Sequence, residues 1–205
     1  MDVATSYNNI GAVLSEQEKL DEALEQYRRA LEIQEEKAPN SLTIASSYNN
    51  IAAVLAEQGK LEEALEKYSR ALKIQEKKAP NSLTIAMSYN NIGLVLLQQD
   101  KWEEALEQFR RALKIQEEKA PNSLAVARSY NNKGVVLGQQ GKWEEALEQY
   151  RRALDIQEKK VPNSLTMAMS YNNIGVVLGQ QGEWEEALSY FEGSHSILES
   201  QTIVA

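Results

Sequence analysis

The 205-residue chain has no cysteine and a single histidine, His195. Without thiols there is no disulfide framework, no thiolate nucleophile and no zinc site built on sulfur. One imidazole excludes a histidine-rich metal site and leaves little scope for acid–base chemistry near neutral pH. No run of about 18 apolar residues occurs, which removes a helical membrane span. The segment Met1-Asp2-Val3-Ala4-Thr5 lacks the basic start and apolar stretch of a secretory signal, and a cytoplasmic location is expected. Cation is scarce: 22 Lys and Arg stand against 30 Asp and Glu, a net charge of −8. Phosphate binding needs clustered excess cation, so a nucleic-acid partner is disfavoured. No Gly-rich phosphate loop and no isolated carboxylate pair occurs. No catalytic residue, cofactor or metal is therefore expected, and neither is a membrane partner.

What the chain does have is repetition. Ser-Tyr-Asn-Asn begins at Ser6, Ser47, Ser88, Ser129 and Ser170, always 41 residues apart, and Pro39, Pro80, Pro121 and Pro162 keep the same spacing. A fixed period in this range signals a stacked array. Taking Leu42 as the start of a unit divides the chain into residues 1–41, 42–82, 83–123, 124–164 and 165–205, one repeat domain. Met1 stands where the other units have Leu, which fits a fragment of a longer or engineered array.

Each unit reads as two helices. Ile44, Tyr48, Ile51, Ala52 and Leu55 recur at three- and four-residue spacing and define one apolar face. Gly59-Lys60 breaks the pattern, and Glu62 and Glu63 then suit the positive end of a second helix. That helix runs for about 20 residues, or roughly 30 Å. Pro80 stops it, and either Asn81 or Ser82 caps the next first helix. Gly11, Gly93, Gly134 and Gly175 share a column with Ala52 inside the first helix. Glycine there costs about 1 kcal/mol relative to alanine, so its recurrence predicts a close helix crossing, answered by the column of Ala23, Ala64, Ala105, Ala146 and Ala187. One unit cannot bury both apolar faces alone, so stability has to come from stacking.

The residues Tyr48, Ile51, Ala52, Leu55, Ala64, Tyr68 and Ala71, in that order and spacing, resemble the tetratricopeptide repeat. Glu76 stands where the shorter unit closes with proline, and Pro80 arrives four residues later. The longer second helix, the Asn-Asn pair and the Gln-Gly-Lys turn resemble the long variant typified by kinesin light chains. Here Pro-Asn-Ser-Leu replaces that group's His-Pro loop. The resemblance covers the whole chain. It implies an all-α solenoid of five helix-turn-helix repeats in a right-handed superhelix. It also implies a non-catalytic scaffold whose concave groove, lined by the first helices, holds a protein or peptide ligand.

The candidate groove follows from comparing the units with one another. One column of the first helix reads Thr5, Ser46, Met87, Arg128, Met169; another reads Ala12, Ala53, Leu94, Val135, Val176. These columns vary while the core columns barely change. Apolar gains such as Met87 and Leu94 favour a binding surface over free drift. The pairs Asn8-Asn9, Asn49-Asn50, Asn90-Asn91, Asn131-Asn132 and Asn172-Asn173 form two ladders. Asparagine is a mediocre helix former, so these positions need a reason. Their amides suit the main chain of an extended peptide, or else hydrogen bonds between neighbouring repeats. Arg128 and Lys133 are the two cations on the first helix of the fourth unit. Lys133 replaces isoleucine at the edge of the core and either snorkels to water or catches a partner carboxylate. Glu16 and Glu57 make the groove more acidic toward its N-terminal end.

The remaining features have structural explanations. The resemblance implies that the tyrosine column and Trp102, Trp143 and Trp184 pack between helices. Arg28-Arg29, Arg110-Arg111 and Arg151-Arg152 form a charge-mixed solvated face. In the last unit Ser194 replaces alanine and His195 replaces leucine, which predicts a polar C-terminal cap. End-to-end self-association is the alternative to a peptide groove, because near-identical repeats let the end of one chain mimic an interior interface of another.

Overall fold

A computed structural model describes residues 2–202. Met1, on which the fragment argument rests, lies outside the described residues. Ten α-helices follow one another: α1 (Val3–Glu16), α2 (Leu20–Lys37), α3 (Leu42–Glu57), α4 (Leu61–Lys78), α5 (Leu83–Gln98), α6 (Trp102–Lys119), α7 (Leu124–Gln139), α8 (Trp143–Lys160), α9 (Leu165–Gln181) and α10 (Trp184–Thr202). The fold is an all-α repeat solenoid, organised as two compact units, residues 1–101 and 102–205.

Local chemistry sets the period. Each second helix from α2 to α8 stops just before a Pro-Asn-Ser turn, since proline cannot continue a helix. Asn40, Asn81, Asn122 and Asn163 then take left-handed backbone, with φ between 58° and 62°. Asparagine tolerates that region better than most L-residues. Ser41, Ser82, Ser123 and Ser164 follow as N-caps, each hydroxyl accepting from the backbone N–H three residues on. The serine, not the asparagine, is thus the cap, and the asparagine is the turn. Within each repeat the shorter turn holds Gly59, Gly141 and Gly182 at φ 74°, 72° and 85°, with Glu18 and Asp100 left-handed at the corresponding positions. The second helices α2, α4, α6 and α8 span 18 residues, with acid in the first turn and lysine in the last.

In the first unit α1 packs on α2 and α3 on α4, while α2 and α4 also cover α3 and α5. Ile44, Ala45, Tyr48 and Ala71 form a buried cluster with Leu31 and Ile74 packed against it. In the second unit α7 packs on α8 and α9 on α10, with α6 against α7 and α8 against α9. Leu113, Val126, Ala127, Tyr130, Ala153 and Ile156 make the equivalent cluster there. The glycine column does mark close approach, but its partner is an aromatic ring. A methyl group on Gly11, Gly134 or Gly175 would sit 2.8, 2.6 and 2.9 Å from the rings of Tyr27, Tyr150 and Phe191.

In the last repeat the two polar replacements face different ways. Ser194 is buried and donates to the Ala168 carbonyl at 2.9 Å, so its polarity is turned inward. His195 is exposed beside the Glu199 carboxylate at 3.1 Å. Four large apolar residues of α10, Trp184, Leu188, Phe191 and Leu198, are also exposed, among acidic and hydroxyl residues such as Glu185 and Glu192. Trp102 and Trp143 are half-buried, but Trp184 does not pack between helices.

Candidate functional site: a cleft between first helices of the second unit

In the second unit the first helices α7 and α9 contact one another. Between α7 and α9 they leave a mostly apolar cleft of about 410 Å³. Its walls are Arg128, Asn131, Asn132 and Val135 from α7 and Met169 and Asn173 from α9, with Gln157 of α8 also contributing. Arg128 and Met169 are exposed. Met87 and Leu94 hold the same helical positions on α5 of the first unit and are also exposed.

The two asparagines of each pair do different work. Asn8 meets the Ser47 hydroxyl at 3.3 Å, Asn49 donates to Ser88 at 3.1 Å, and Asn131 donates to Ser170 at 2.8 Å. Asn90 is buried and donates to the Ala86 carbonyl. In Asn8, Asn49 and Asn131 the first asparagine is therefore spent on joining one repeat to the next, and Asn172, with no such serine after it among the described residues, is exposed. The second asparagine is unspent: Asn9, Asn50, Asn91, Asn132 and Asn173 have no side-chain hydrogen bond among the described residues. Adjacent helical residues point about 100° apart, which is enough to send one amide into the repeat joint and its neighbour to the cleft.

Gln157 adds an acceptor. It is almost fully buried, donates to the Thr166 carbonyl at 3.3 Å, and its own side-chain oxygen has no donor. Buried polar atoms are nearly always paired, so an unpaired one lining a cleft wants a partner from outside.

Lys133 does not belong to this cleft. It occupies the column of Ile51, Ile92 and Ile174, all buried, and lies half-buried itself. Burial pulls its pKa below the ordinary lysine value, and Arg110 and Arg152 add to this against the weaker pull of Glu148 and Glu117. These charges all sit on second helices, away from Arg128. The ammonium is therefore a cost carried by the core edge. Lys133→Ile should raise the urea midpoint, with a gain of about 1–2 kcal/mol for the buried side chain. Because the folded pKa is depressed, the parent is penalised while the lysine is charged. Its stability should recover as pH rises from the folded pKa toward the unfolded value, so the advantage of the isoleucine variant narrows there. A variant no more stable than the parent at pH 7 would place the ammonium in water after all.

Two polar columns escaped the sequence reading. Ser47, Ser88 and Ser129 are fully buried and donate to Gln34, Gln75 and Gln116 of the preceding second helix at 2.7–2.8 Å. Tyr48 and Tyr89 donate to Glu35 and Glu76 at 2.8 and 3.0 Å, and Tyr130 donates to Glu117. Arg70 and Arg152 lie over the rings of Tyr48 and Tyr130. The unchanging glutamine column, Gln34, Gln75, Gln116 and Gln157, was the available signal. Of the acidic column, Glu57 lies near the tyrosines of two second helices. Burial first, and Glu57 second, push the Tyr68 pKa up to about 12 and raise that of Tyr27.

A family model described as tetratricopeptide repeat matches residues 2–77 and 80–159, and a second with the same description matches residues 167–200. No curated protein matches the chain by sequence. Among solved structures, BtubC (BKLC) from P. vanneervenii is similar at 23% identity and TM-score 0.85, over 94% of this chain and 78% of that one. Nearly identical repeats of a putative kinesin light chain from Podosopora anserina are similar at 17% identity and TM-score 0.83, over the whole of both chains. RapI, without ligand, is similar at 22% identity and TM-score 0.80, over 95% of this chain and 53% of its own. No helix among the described residues is long and apolar enough to cross a membrane.

Proposed function

Because the chain belongs to the tetratricopeptide-repeat family, we propose that it is a non-catalytic protein-interaction scaffold that holds an extended partner peptide along the cleft between α7 and α9. The observation that carries this reading is the set of unused amide groups there. Asn132 and Asn173 have free donors and acceptors, and Gln157 has a buried oxygen without a donor. An extended main chain offers matching N–H and C=O groups whatever its sequence. Val135 and Met169 would take apolar side chains, and Arg128 would favour an acidic residue or a terminal carboxylate.

The test is a peptide-library screen followed by titration of the best binder. Asn132→Ala and Asn173→Ala should each weaken binding about tenfold, one hydrogen bond's worth, with the helix content unchanged. Gln157→Leu should weaken binding without lowering stability, since it removes an orphaned acceptor rather than a made bond. Reversing Arg128 to Glu should turn selection away from acidic peptides. Equal affinity in the folded Asn132 and Asn173 variants would leave those residues without a ligand role.

A further inference from the structure

We propose that the α10 end of one molecule receives the α1 end of a second copy, reproducing between molecules the joint made four times within one. Inside the chain that joint is a second helix against the next first helix: α2 on α3, α4 on α5, α6 on α7 and α8 on α9. Its apolar part is the first-helix column set Ile44, Ile51 and Val54, which are 2%, 2% and 1% exposed. The corresponding residues of α1 are Val3, Ile10 and Val13, and they are 58%, 47% and 53% exposed. On the other side, Leu147 and Tyr150 of α8 are 7% and 4% exposed, whereas their counterparts Leu188 and Phe191 of α10 are 57% and 37% exposed. Both halves of one interface stand uncovered, one on the first helix and one on the last.

The polar part of the joint points to a second copy and not to an arbitrary apolar partner. Three contacts recur with the repeat. An asparagine of one first helix meets the serine of the next, as in Asn49 with Ser88. The glutamine that follows a first helix donates to an acid of the preceding second helix, as Gln58 to Asp21, Gln99 to Glu62, Gln140 to Glu103 and Gln181 to Glu144, at 2.9–3.1 Å. A tyrosine donates to the glutamate near the end of the preceding second helix, as Tyr48 to Glu35. Advancing each series by one 41-residue step beyond the C-terminal repeat calls for Asn172, Glu185 and Glu199 on one molecule. It calls for Ser6, Gln17 and Tyr7 on the other, and all six are present. Asn172, Glu185, Ser6 and Gln17 have no side-chain partner among the described residues. Among the described residues the Glu199 carboxylate faces only His195, through an exposed i,i+4 pair. Leu198 stands where the glutamine column would be, which replaces one hydrogen bond of the joint by apolar contact.

Such a contact is heterologous, so it does not close on itself and association continues from dimer to longer stacks. The experiment uses the whole chain and two variants, Val13→Glu and Leu188→Glu, each changing a residue already exposed in the single molecule. Mass is read by light scattering coupled to size exclusion over a hundredfold range of concentration. The unmodified chain should climb above 23.1 kDa as concentration rises. Each variant alone has one blocked end and one native end of the opposite kind, and should stay monomeric with unchanged helix content. Mixed in equal amounts, the variants should form a species of twice the monomer mass and nothing larger, because their two native ends complement each other. A monomer at every concentration overturns the proposal. Undiminished growth in either variant alone moves association to another face and also overturns it, as does a mixture of folded variants that stays monomeric.

Discussion

Gly134→Val should lower the stability of the chain by about 3 kcal/mol, the upper part of the range for overpacking a core, while Gly134→Ala should change it little. The position lies inside α7, where the ring of Tyr150 from α8 rests on the bare backbone. A Cβ there would meet ring carbons at 2.6 and 2.9 Å, distances at which something has to move. The chain already contains the alanine version. Ala52 occupies the same column in α3 opposite Tyr68, and both are buried, so a ring shift of that size fits the architecture. Alanine also recovers about 1 kcal/mol of helix propensity, which offsets the cost of the shift. Valine has no such precedent. Its branched Cβ places two further carbons against a ring that is 4% exposed, and the fix has to come from separating α7 from α8. Urea unfolding followed by helix signal would measure both variants. A valine variant within 1 kcal/mol of the parent would mean that Tyr150 can leave its seat freely and that the glycine column does not set the helix approach.

This column shows how far sequence alone reaches. The period, the helix pairs and the apolar faces were legible because each signal is repeated up to five times, so one ambiguous unit is corrected by its neighbours. Close approach at the glycines was legible too, but not that the group nearest them is the second-helix aromatic ring. The choice between Asn81 and Ser82 turned on a backbone angle. Both residues cap helices well, and only the left-handed φ of the asparagine assigns it to the turn. For the Asn pairs the sequence allowed a peptide role and a repeat-joining role. The structure gives the joining role to the first member, through the buried serine whose importance a small hydroxyl residue does not announce. Lys133 was placed at the core edge from its isoleucine column, and it lies half-buried there and outside the lining of the cleft that Arg128 borders. The last repeat follows the same geometry. Ser194 and His195 are polar neighbours in sequence, but one step along a helix turns a side chain by about 100°, and Ser194 points into the core while His195 is exposed.

Ser88→Ala should cost about 2 kcal/mol, within the range for leaving buried polar partners unpaired, and most of that loss should vanish when Gln75→Leu is added. Ser88 is fully buried at the junction of α4 and α5, and its hydroxyl donates to Gln75 at 2.8 Å while accepting from the Asn49 amide at 3.1 Å. Deleting the hydroxyl strands a glutamine oxygen that is itself buried and frees an asparagine that had been held. Gln75→Leu alone should be mild, because Ser88 keeps Asn49 and a leucine fills a similar volume. In the double variant no buried glutamine remains to be orphaned, so the coupling between the two positions should be 1 kcal/mol or more, in the direction of rescue. Strict additivity would mean that water satisfies Gln75 in the alanine variant and that the joint is wet. The consequence reaches the amides not used by the joint. Asn9 and Asn50 are each next in sequence to an asparagine committed to a repeat joint, so the rung spacing of the free ladder is inherited from the buried one. A chain whose Ser88 joint is loosened should thus show faster amide hydrogen exchange in α5 than in α3, at denaturant concentrations where both helices are still formed.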